Sequence, residues 1–170
     1  MKHIAVASMV VLAVVAIAPA GRAADPDRQQ AVRERSADVM PFDMAATTHV
    51  FTKTPTGGVQ RVVAKSAADV RQIALVRVHL KDIATRFGRG NFAAPSHVHG
   101  EAMPGLAALR NAAAGDLRVR YHELRSGAEI RYSSANPATV DALHRWFDAQ
   151  LADHGPDAVA GPGRHLHQDH

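Results

Sequence analysis

The chain has 170 residues, with 20 Lys and Arg, 16 Asp and Glu, 11 His and no Cys. The absence of cysteine excludes disulfides, haem attachment through CxxCH, thiolate zinc sites and a cysteine nucleophile, so stability has to come from a packed core. Lys2 and Arg22 lie in a leader-like N-terminus; beyond them 18 basic residues face 16 acidic ones, a balance too even to indicate a nucleic-acid partner.

Met1-Lys2-His3 precedes an apolar run over residues 4–18, followed by Pro19-Ala20-Gly21-Arg22-Ala23-Ala24. This pattern predicts a signal peptide over 1–24 and a periplasmic or secreted chain. The run has fifteen residues, short of the roughly 20 that span a bilayer, and no later stretch is apolar enough for a membrane segment. Residues 25–45 form a polar N-terminal extension with a helix expected around 27–38.

Residues 46–155 are expected to form a single α+β domain. Strands over 47–53 and 59–65 flank Thr54-Pro55-Thr56-Gly57-Gly58, a hairpin signal. Ser66-Ala67-Ala68-Asp69 resembles a capping box that opens a helix ending near Phe87, which completes a ββα unit over 46–87. Residues 88–116 form an inserted His-rich loop with a short helix over 105–114. Strands over 117–123 and 128–134 flank Arg125-Ser126-Gly127, and Asn136-Pro137 caps a helix running to about Asp153. This second ββα unit, 117–154, matches the first at an offset of 70 residues: Phe51 falls on Tyr121, Gly57 on Gly127, Val70 on Val140 and Ile73 on Leu143. Two such units predict a four-stranded antiparallel sheet with both helices on one face. Residues 156–170 read as a flexible tail containing His165, His167 and His170.

Histidine is the compositional signal. Pro95-Ser96-His97-Val98-His99-Gly100-Glu101-Ala102-Met103 brings imidazoles, a carboxylate and a thioether into one segment bounded by Pro and Gly. Imidazole with thioether suits copper ahead of zinc. His97, His99 and Met103 are the candidate ligands in the loop, and His49, His79 or His144 are candidates to close the site. His144 also reads as a core histidine satisfied by a backbone carbonyl or a Tyr hydroxyl, His49 and His79 as ordinary buried polar groups, and Met40 and Met44 as gap-filling residues. Non-covalent haem on His97, His99 or His144 ranks below copper and zinc.

The expected function is metal capture, buffering or delivery outside the cytoplasm. One alternative is a metal-dependent enzyme using the His97/His99/Glu101 loop, with Glu101 as base. The other is a protein-partner or homodimer module. Strand alternation places Arg61, Arg118, Arg120, His122 and Arg131 together on the sheet face opposite the helices, with interleaved Glu123 and Glu129. No GxSxG, GxxxxGK[ST], HExxH or GxGxxG pattern is present to name a reaction.

Overall fold

A computed structural model describes residues 25–162; residues 1–24, where a signal peptide is expected, and the tail residues 163–170 lie outside the described residues. The architecture is α+β, a five-stranded mixed sheet with five helices. In chain order these are α1 (Pro26–Ser36), β1 (Thr47–Thr54), β2 (Gly57–Ala64), α2 (Val70–Phe87), α3 (Ala93–His99), α4 (Leu106–Arg110), β3 (Arg118–Leu124), β4 (Gly127–Ser133), α5 (Pro137–His154) and β5 (Ala158–Ala160). The sheet order is β3-β4-β2-β1-β5. Among the described residues no helix is long and apolar enough to cross a membrane.

The first four strands pair antiparallel, joined through β2 and β4 with Arg61 opposite Glu129 and Val62 opposite Ala128. The expected purely antiparallel sheet of four strands needs correction, because β5 adds to the outer edge of β1 in parallel, His49 facing Ala158. Residues 158–160, expected within the tail, are thus a strand: Ala158 is buried, and the Gly161 amide donates to the Phe51 carbonyl at 2.9 Å. Three residues are too few for alternation to register, and their pairing partner lies more than a hundred positions away in sequence.

Each long helix forms where periodicity and capping agree. On α2 the stripe of Ile73, Val76, Leu80, Ile83 and Phe87 is buried. Its N-cap is Asp69, whose carboxylate accepts from the Gln72 amide, while Ser66 closes the preceding turn onto the Ala68 amide. Asn136 caps α5 through the Ala138 amide with Pro137 in its first turn, and Asp116 gathers Ser134, Asn136 and Thr139 around that cap. α2 packs over β4 and β3, and α5 over β2, β1 and β5. Between them lies a core in which Trp146 meets Phe87 and Tyr132 edge-on, at ring-centroid distances of 5.8 and 6.0 Å. Gly105, at φ +79°, lets α4 reach α5: a Cβ there would lie 2.1 Å from the Ala142 carbonyl oxygen.

The segment expected as an irregular loop contains α3. Pro95 sits in its first turn, where no backbone N–H is required, and Gly100 at φ +86° ends it. The residues that read as loop punctuation are the start and stop of one short helix. α1 buries only Val32 and Ser36 and is held by polar contacts instead. The Arg35 guanidinium donates to the Val98 carbonyl at 2.7 Å and the Gln29 side-chain Nε2 to the Ala152 carbonyl at 2.9 Å, which ties α1 across the ends of α3 and α5.

Candidate functional site

Four elements deliver four imidazoles to one small cavity. His49 points to the core face of β1 with Phe51, His79 projects from α2, and His99 and His154 are the last residues of α3 and α5. His49, His99 and His154 are 2%, 4% and 4% exposed. The His49 and His154 rings stack with centroids 5.1 Å apart and planes 6° from parallel, and His99 meets His154 edge-on at 5.0 Å. Phe42 packs on His49 at 5.8 Å and on His79 at 5.5 Å. The cavity measures about 40 Å³, and Met40 and Trp146 also line it.

A buried ion-pair network fixes one of these rings. Asp153, 4% exposed, lies 2.9 Å from His99 Nδ1 and accepts from Arg28 Nε at 2.5 Å and Nη2 at 2.7 Å. Arg28 Nη2 also donates to the His99 carbonyl at 3.1 Å. Burial works against the Asp153 carboxylate, but the hydrogen bonds from His99 and Arg28 outweigh it and hold the group down at about 2. The Asp153 carboxylate accepts from His99 Nδ1–H, which makes Nε2 the nitrogen of that ring left to meet a ligand.

The other rings are held neutral. Burial, reinforced by His79 and His99, lowers His49 to about 3. Burial lowers His79 to about 4, against the pull of Asp82, and places His154 well below the usual imidazole value. His49 Nδ1 and Trp146 Nε1 are buried without a hydrogen-bond partner. Unpaired buried nitrogens are uncommon enough to require an explanation.

Of the residues singled out from sequence, the fold gathers His49, His79 and His99. It sets His97 apart, because residues two positions apart on a helix point to nearly opposite sides. His97 has a side chain 54% exposed, with Nε2 3.3 Å from an Asp38 oxygen. Glu101 is exposed and pairs with Arg110, and Met103 is buried in the main core cluster. His144 Nε2 lies 2.8 Å from the Gly57 carbonyl and 3.2 Å from that of Thr54, so it fastens α5 to the β1–β2 turn. Replacing His144 with Ala should lower unfolding free energy by about 1 kcal/mol, read from denaturant midpoints, without altering the cavity. An unchanged midpoint would show that this tether is idle.

His154 was absent from the sequence-derived ligand set although it lies at the end of the apolar stripe of α5 and faces the core. Its signal was visible; its neighbours were not, since they come from β1 and α3. On the opposite sheet face, Glu129 is buried between Arg61 Nε at 2.9 Å and Arg131 Nη2 at 2.6 Å. One carboxylate thereby pairs with two of the basic groups on that face and offsets one of their two charges.

The site is therefore a buried pocket of four histidines backed by one carboxylate, in an α+β domain. Among the described residues, no three or more His, Asp or Glu side chains are grouped so as to hold a metal ion as they stand, because the rings pack on one another. Compared with family models, curated proteins and solved structures, the chain finds no match.

Proposed function

We propose that this pocket binds a transition metal, copper first and zinc second, and that the protein is exported and captures, buffers or delivers the ion. The observation that carries the reading is the convergence of the His49 and His99 rings on His154, together with the unpaired His49 Nδ1. Neutral imidazoles are the form that binds first-row metals. The Asp153–His99 hydrogen bond is the carboxylate–histidine arrangement that orients a ligand ring and raises its basicity. Binding turns the rings out of their stack to aim nitrogen lone pairs at one point. A cavity of about 40 Å³ exceeds the roughly 10–15 Å³ that admits one water, so it has room for a small ion. That volume favours ion capture over haem or an organic substrate.

The enzymatic alternative draws support from the His99–Asp153 pair, an arrangement that also suits a general base in the cavity wall. The partner-binding alternative rests on Arg118 and Arg120, which no described carboxylate pairs.

The test uses the full chain expressed with its own leader, with His165, His167 and His170 replaced by Ala throughout. After dialysis against copper or zinc, the parent and His97→Ala should each hold one equivalent. His49→Phe and His154→Phe should lose it, and Asp153→Asn should weaken binding about 10- to 100-fold. Full uptake by both Phe variants, or loss in His97→Ala alone, would overturn the assignment.

A further inference from the structure

The donor set around the cavity is uncharged. His49, His79, His99 and His154 bind metals as neutral rings, and the additional donor in the same wall is the Met40 thioether. The nearby carboxylate, Asp153, is already engaged by His99 and by the Arg28 guanidinium, so its charge is offset before an ion arrives. Apolar groups, Phe87, Val98 and Ile83 among them, make up most of the rest of the wall, which also includes the uncharged side chains of Gln60 and Gln150. An ion entering here loses most of its hydration and gains no counter-charge. The desolvation cost scales with the square of the charge, so a divalent ion is penalised roughly fourfold more than a monovalent one of similar size. Soft thioether and imidazole donors select the cuprous ion among the first-row metals.

Resting on the metal reading above, we infer that the pocket is a cuprous site in which Met40 is a ligand alongside the buried histidines, and that it discriminates against zinc and cupric ion by the neutrality of its donors. Met40 lies in the connection between α1 and β1, and the Met40 amide is anchored to the Ser36 carbonyl at 2.8 Å. The end of α1 thus sets the position of the thioether. His79, less deeply buried than the other three rings, stands on the same wall beneath Phe42. The chain contains no cysteine, so any copper–sulfur bond here is a methionine bond.

The experiment measures cuprous affinity anaerobically by competition with a chromogenic cuprous chelator, and zinc and cupric affinities by competition with chelators of those ions. The full chain carries the tail substitutions described above. The parent should bind one cuprous ion at least a hundredfold more tightly than zinc. Met40→Leu, close in volume and apolar, should weaken cuprous binding tenfold or more and leave zinc affinity within twofold. X-ray absorption of the copper-loaded parent should show a sulfur shell that Met40→Leu lacks; circular dichroism of the variant checks its fold, and Met40→Ile repeats the test if that variant unfolds. Zinc or cupric binding equal to or tighter than cuprous, or cuprous binding indifferent to both Met40 variants, would overturn this inference while leaving the histidine metal site intact. No uptake of any of the three ions would remove that reading and this inference together.

Discussion

Trp146→Ala should destabilise the protein by about 4 kcal/mol, within the range for deleting a large buried aromatic side chain. Trp146 is 1% exposed and touches Phe87, Phe92, Tyr132 and Phe147. Its loss removes the contacts through which α2, β4, α5 and Phe92 at the start of α3 share one core, and it opens the wall of the histidine cavity. Trp146→Phe retains most of the packing and removes the unpaired indole N–H, so it should cost far less. Denaturant unfolding of both variants checks this ordering. Equal losses for Ala and Phe would contradict the ring-packing account of Trp146.

A second large effect is acid destabilisation of the metal-free protein. His49 and His79 are lowered to about 3 and 4 from 6.5 in the fold, and His154 is lowered as well. The unfolded chain therefore binds more protons than the folded one below pH 6.5, and stability rises with pH across that window. The contribution of these rings is fully present above about pH 6.5 and is lost as pH falls towards 3. Asp153 acts in the same direction lower down, its stabilisation being lost as pH falls from 3.8 to about 2. The groups facing these rings are Asp82 and Arg86 beside His79, and Asp153 beside His154. Each pKa unit corresponds to about 1.4 kcal/mol, so three shifted rings remove several kcal/mol between pH 6.5 and 5. The melting temperature should drop by roughly 10 °C or more over that interval. His49→Phe should flatten the profile, and a parent profile already flat would contradict the burial of neutral histidines.

The strands, hairpin turns and long helices were legible because their signals are local. Asn136-Pro137 before an apolar stripe and Gly57 after Pro55-Thr56 state their structure within a few residues. The short pieces were not. Pro95 and Gly100 read equally as loop residues or as the two ends of a helix, and α3 became a helix because α1 holds its carboxyl end through Arg28 and Arg35. That single difference decides the fate of the H-x-H pair: an extended or turning loop allows His97 and His99 to cooperate, whereas one helical turn sends His97 to solvent and His99 inward. The side-chain period of β1 and α2 placed His49 and His79 near the core, but periodicity assigns a face and not a partner. His154 meets His49 only because β5 follows α5 directly and returns the chain alongside β1. Such a juxtaposition belongs to topology, which the spacing of residues in one sequence does not encode.

The central claim is that a metal ion sits among His49, His99 and His154. Anomalous diffraction at the copper edge, from crystals of the full chain grown and loaded under reducing conditions, locates the ion directly. The account predicts one strong peak inside the cavity, within bonding distance of nitrogens from at least two of these rings, with the His49–His154 stack opened. A cavity without a peak, or copper confined to His97 and the tail histidines, would contradict it.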